Sequence, residues 1–177
     1  MIHMISGNSV INNPIIAANT DVVLGHIHGI MIDPHLSHIT AFTLKPSSRE
    51  TLVLPWMGVK RIEPGQLFAW AANMIIRTDE LFDVRRLLQE GTIKPNMRFR
   101  SADGELLGNM HDFYFDQHSG AVIEYEIAGG PLADSETGRY VIPAQRHTTI
   151  DKEAGTAYLP LKFTALARLI QKGDDGQ

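Results

Sequence analysis

Shifting the chain by 83 residues lays one stretch of it on another without a gap. Leu24, Gly25, His28, Asp33 and His35 fall on Leu107, Gly108, His111, Asp116 and His118. The apolar pattern continues outward, with Ile16 on Phe99, Ile39 on Val122, Phe42 on Tyr125 and Leu44 on Ile127. Further along the offset becomes 88, so that Val53-Leu54-Pro55 falls on Val141-Ile142-Pro143 and Ile62 on Ile150. The five extra residues lie within Gly129 to Gly138, a Gly/Pro/Asp/Ser loop, and loops are where added length costs least. Self-similarity of this kind points to one structural unit used twice.

Each repeat reads as short strands separated by turns. In the second, Met97–Ser101 and Leu106–Phe115 are predicted strands on either side of Asp103-Gly104, a strong hairpin signal because glycine accepts positive φ. His118-Ser119-Gly120 turns the chain back into Ala121–Ile127, and further strands are predicted near Arg139–Ala144, His147–Ile150 and Thr156–Leu159. Many short, evenly spaced strands predict an all-β chain of small closed barrels, since closure removes exposed sheet edges. Between the repeats, Leu81, Val84 and Leu88 fall at helical spacing; Thr78 suits the cap, Asp79 and Glu80 the positive end, and Gly91 the stop. A second helix is predicted over Phe163–Lys172, where Phe163, Leu166 and Ile170 share a face. Both apolar faces are expected to pack on the barrels. The expected organisation is barrel 1 over 1–76, a linker helix over 77–91, barrel 2 over 92–162, and a C-terminal helix with a frayed tail over 163–177.

Composition narrows the function. The net charge of −4 gives no basic excess of the kind that grips phosphate backbones. Cysteine is absent, which removes disulfides, thiolate nucleophiles and cysteine-based zinc sites, and suits a reducing cytoplasm. The longest apolar runs are about six residues, against the roughly 20 that cross a bilayer, so the chain is not expected to span a membrane. Met1 to Gly7 does not read as a signal peptide.

The ordered pattern Leu-Gly, seven residues, Asp, a tight turn, an alternating strand and an Ile/Leu-Pro strand resembles the PRC-barrel family. It occurs as Leu24–Asp33 with Leu54-Pro55-Trp56, and again as Leu107–Asp116 with Ile142-Pro143. The resemblance implies two tandem six-stranded β-barrels. The family includes the cytoplasmic domain of the photosynthetic reaction centre H subunit and the C-terminal domain of a ribosome maturation factor. It therefore implies an adaptor or assembly role, not an enzyme. Neither the membrane helix of the one nor the N-terminal domain of the other is expected in the sequence as read, so neither specific role carries over. Gly25 and Gly108 are expected to bend long strands at bulges, and Asp33 and Asp116 to bond backbone N–H groups at hairpin corners. Pro55 and Pro143 complete the structural motif.

Eight histidines are the unusual feature, four of them at positions 26, 28, 35 and 38. His26 and His28 share a strand face, but a strand rising about 3.3 Å per residue carries His35 roughly 20 Å from His28. Two ligands make a weak site, and Asn109 stands where the second repeat would need the counterpart of His26. No Walker A loop, dinucleotide fingerprint, nucleophile elbow or His-Glu-x-x-His is present. Lys60-Arg61, Arg85-Arg86 and Arg98-Phe99-Arg100 are isolated basic groups that suit RNA only by charge and stacking. The expectation is thus a non-enzymatic, cytoplasmic binding or assembly module without a cofactor. It takes a protein partner at the groove between the copies or at the central helix, with Trp56, Trp70 and Phe82 as first contacts; homo-oligomers stay open. The alternatives are an RNA- or ribosome-associated maturation factor, and a metal-binding protein using His26, His28, His35 and His38.

Overall fold

The computed structural model describes residues 3–44, 51–77 and 96–174, and side chains as far as Ile170. The predicted linker helix, with Phe82, Arg85 and Arg86, lies outside the described residues, as does the end of the polar tail. The fold is mostly β, in two sheets. Its strands are β1 (Met4–Ser6), β2 (Pro14–Ala17), β3 (Val22–Ile32), β4 (Ile39–Leu44), β5 (Leu52–Pro55), β6 (Val59–Glu63), β7 (Gln66–Ala69) and β8 (Ile76–Arg77). They continue as β9 (Arg98–Arg100), β10 (Leu106–Asp116), β11 (Val122–Ala128), β12 (Arg139–Pro143), β13 (Thr149–Asp151) and β14 (Thr156–Tyr158). One turn of helix, α1 (Gly7–Val10), follows β1, and α2 (Phe163–Asp174) follows β14. Among the described residues no helix is long and apolar enough to cross a membrane.

The described residues fall into two compact units. The first takes those within Met1–Asp33, His38–Ile93 and Phe115–Ala121; the second takes those within Pro34–Ser37, Lys94–Tyr114 and Val122–Gln177.

The first sheet runs β6-β7-β2-β3-β4-β5-β8 and the second β12-β11-β10-β9-β14-β13, with β1 also bonded to β10. Six strands of each follow the same path: 5-4-3-2-7-6 in one, 12-11-10-9-14-13 in the other. The sense of pairing agrees too: β2–β7 and β9–β14 are parallel, while β2–β3, β4–β5 and β6–β7 are antiparallel, as are their counterparts β9–β10, β11–β12 and β13–β14. Register repeats the sequence offsets: Phe42 faces Leu54 and Ala41 faces Pro55, as Tyr125 faces Ile142 and Glu124 faces Pro143. Phe42, Leu54, Tyr125 and Ile142 are wholly buried, so the matched positions are the core of each unit.

Both motif glycines sit at slips in register. The β2–β3 ladder passes from Ile15–Gly25 to Ile16–Val23, and the β9–β10 ladder from Arg100–Leu106 to Phe99–Gly108. The residue facing the glycine is therefore Ile15 in the first repeat and Phe99 in the second, both wholly buried. The gapless shift had set Ile16 on Phe99; the pairing moves that match by one residue. A bulge gives one strand an extra residue against its partner, which is how such a one-residue change arises.

Asp116 shapes its corner as expected. Its carboxylate accepts from the N–H groups of Ser119 at 2.8 Å and His118 at 3.1 Å, from the Ser119 hydroxyl at 2.8 Å, and from the His3 N–H at 3.3 Å. These bonds, those of Ser119 foremost, hold the carboxyl below the usual aspartate range. Its folded value thus lies under an unfolded value of about 3.9, so the stabilisation is complete above about pH 4 and fades as pH falls through the folded value. Asp116→Asn is expected to cost about 2 kcal/mol at pH 7, as loss of charge-assisted bonds does, and clearly less near pH 3. Urea melts at the two pH values check this; an equal loss at both would contradict it. At the matched corner the Asp33 N–H donates to the His38 carbonyl at 2.9 Å, as the Asp116 N–H does to the Ala121 carbonyl at 2.9 Å, and the Asp33 carboxylate lies 3.9 Å from His38 Nδ1.

The C-terminal helix starts from a distance. Asp103 accepts from the Phe163 N–H at 2.9 Å and from the Ser101 hydroxyl at 2.5 Å, which satisfies one of the free donors at the start of α2. Leu166 on that helix is fully buried, and Gly104 takes the positive φ of +85° expected at its turn.

Candidate partner-binding surface

In the first unit, Pro55 ends β5 and the chain makes a short 3-10 turn, Trp56–Gly58, before entering β6. The Gly58 carbonyl accepts from the Trp70 N–H at 3.0 Å, which fixes the end of β7 beside that turn. Two large apolar side chains are thereby held out in solvent: Met57 is 84% exposed and Trp70 51%. The Lys60 ammonium lies 5.2 Å from the centre of the Trp70 ring, a cation–π distance. Large apolar groups fixed on a rigid sheet and bordered by charge mark interaction sites more often than scattered single ones do.

Trp56 faces the other way. Its ring packs 6.1 Å from Phe42 and edge-on, 6.4 Å, to Phe115. A Cβ on Gly120, whose φ is +72°, would sit 2.8 Å from the indole, so glycine lets the backbone lie against the ring. Trp56 is half-buried and anchors the turn that displays Met57. It also lines a cleft of about 300 Å³ with Lys60, Arg61, Gln117 and His118. A larger cleft of about 620 Å³ is lined by His3, Met4, Ser9, Glu63 and Gly65, and both clefts reach Ile62 and Gln117. Arg61 is engaged twice, with its guanidinium 3.7 Å over the Phe68 ring and its Nε donating to Glu63 at 2.6 Å. Those bonds from Arg61, then from Gln66, hold the Glu63 carboxyl below its ordinary range.

The histidines occupy separate settings. His26 and His28 are exposed on β3, His35 Nδ1 lies 3.2 Å from the Thr148 carbonyl, and His38 pairs with Asp33. Among the described residues no three His, Asp or Glu side chains converge as metal ligands would. The second unit carries a polar cluster on β10, β11 and β12, where Glu126 accepts from the Tyr114 hydroxyl at 3.0 Å and from Arg139 at 3.1 Å. Burial, then that bond to Glu126, pushes the Tyr114 hydroxyl above its ordinary value.

Of the predicted contacts, Trp70 is displayed, Trp56 is packed on one face and open to a cleft on the other, and Phe82 lies outside the described residues. The idea that Phe99 stacks on a base between two arginines is corrected: its ring is wholly buried, 5.1 Å from Tyr125. Met57 and the Lys60–Trp70 contact were not foreseen. The sequence held a hint of Met57, a large apolar residue in a Pro-x-x-Gly turn between two strands.

Compared with known proteins, the chain matches no family model and no curated sequence.

Proposed function

We propose that this chain is a non-enzymatic, cytoplasmic protein-binding or assembly module built from two PRC-like six-stranded barrels, and that it engages its partner through the Trp70–Met57–Lys60 face of the first. The double-barrel reading is supported by the shared strand order, by the shared register at Phe42–Leu54 and Tyr125–Ile142, and by the bulges at Gly25 and Gly108. The binding reading is carried by one observation, the exposure of Met57 and Trp70 on two segments that the bond from the Trp70 N–H to the Gly58 carbonyl holds together. Aromatic and methionine side chains are over-represented at interfaces, where each covers much apolar area.

The test is the double variant Met57→Ser/Trp70→Ala. Both positions are exposed, so stability should change by less than about 1 kcal/mol. Affinity capture on the full chain from native lysate, read by mass spectrometry, is expected to return a discrete protein whose recovery falls at least tenfold with the variant. Equal recovery by both chains would overturn this assignment of the surface.

A further inference from the structure

We infer that the open edge of β6 is a strand-addition site for an extended acidic peptide. The inference deepens the protein-binding reading above, on which it rests, by naming what kind of segment is bound and where.

Three observations carry it. First, β6 ends its sheet: it is bonded to β7 on one side, and among the described residues no strand pairs with its other side. A strand edge of this kind presents a row of N–H and C=O groups that another extended chain can pair with. Second, the two clefts follow this strand. The smaller is lined by Val59 to Ile62 and the larger by Ile62 to Gly65, so successive residues form one wall from end to end. Gln117 stands opposite in both, with His118 at one end and His3 at the other. β6 slips once against β7, between Val59 and Arg61, so its regular edge is Arg61 to Glu63, about 10 Å long, which matches about three residues of an added peptide. Third, the groove has a charge gradient. The end nearest Trp56 is lined by Lys60, Arg61 and His118 and by no carboxylate, while Glu63 lies at the other end, where Arg61 already bonds it. Buried Ile62, at the join, suits an apolar side chain. The occupant that fits is an extended segment in which acidic and apolar residues alternate, its acidic side chains facing Lys60 and His118.

The probe is an end-capped heptapeptide, Thr-Val-Glu-Val-Glu-Val-Thr, added to the full-length protein and followed by amide hydrogen exchange with NMR detection. The expected result is at least tenfold slower exchange at outward-facing amides of Val59 to Glu63, with micromolar to sub-millimolar affinity. Two analogues, each N-methylated on alternate residues so as to block one edge of the peptide, separate ladder pairing from charge attraction. One of the two is expected to lose binding and the other to keep it. Replacing the glutamates by lysine should abolish binding, and Lys60→Glu should weaken it at least fivefold. No protection of β6 at millimolar peptide, equal binding by both methylated analogues, or equal binding by the lysine peptide would each overturn the inference. A lysate partner lost with Met57→Ser/Trp70→Ala while the peptide leaves β6 unprotected removes the edge site alone. Protection of β6 together with equal lysate recovery by wild type and variant removes the Trp70 face alone.

Discussion

Gly108→Ala is expected to destabilise the protein by about 4 kcal/mol, the sum of a backbone held where side chains are strained and a methyl group forced into filled space. The φ at Gly108 is +136°, and a Cβ there would lie 2.6 Å from the Ala128 carbonyl oxygen and 2.8 Å from that of Gly129. Neither oxygen can yield without moving the backbone at the end of β11. The matched position in the first repeat behaves differently. A Cβ on Gly25 would meet Leu44 Cδ2 at 2.9 Å, the far end of a side chain that can turn away. Gly25→Ala is therefore expected to cost about 1–2 kcal/mol. Urea unfolding of the two variants measures both values. A Gly108→Ala cost below 1 kcal/mol, or a larger cost at Gly25, would contradict the account of the bulges.

The second large effect lies in the paired cores. Phe42→Ala and Tyr125→Ala are each expected to cost about 4 kcal/mol, because both rings are wholly buried and truncation leaves a cavity. Phe42 packs near Trp56 and Tyr125 near Phe99. Tyr125 also donates its hydroxyl proton to the Leu36 carbonyl, so Tyr125→Phe should cost about 1 kcal/mol by itself. Equilibrium denaturation of the three variants checks that each alanine variant loses more than Tyr125→Phe. A loss below 1 kcal/mol at either alanine variant would mean that the position is not a core position.

Much of the fold was legible because the repeat fixes pairs, not only elements. The change of offset from 83 to 88 reappears as the register of β4 on β5 and of β11 on β12. The misplaced match at Ile16 has a local cause. A bulge consumes a residue at a place that hydrophobic pattern does not mark, so a gapless alignment cannot follow it. The part played by Asp103 was half visible. Its hairpin with Gly104 follows from turn chemistry, whereas its bond to the Phe163 N–H joins residues 60 apart and leaves no trace in local pattern. Phe99 was misread although strand alternation held the answer. In Arg98-Phe99-Arg100, side chains alternate across the sheet, so a phenylalanine between two outward arginines points inward. The surface was the least legible. Trp70 is one residue past β7, and whether a side chain there packs or projects depends on where the neighbouring turn is pinned, here by Gly58.

The account stands on each half of the chain forming the same ladder. Nuclear Overhauser contacts across the strands test it most directly. The expected pattern is Phe42 to Leu54 and Tyr125 to Ile142 between antiparallel strands, with Ile15 to Leu67 and Phe99 to Ala157 between parallel ones. Contacts of this kind in one half only, or a different partner for Ile15 or Phe99, would contradict it.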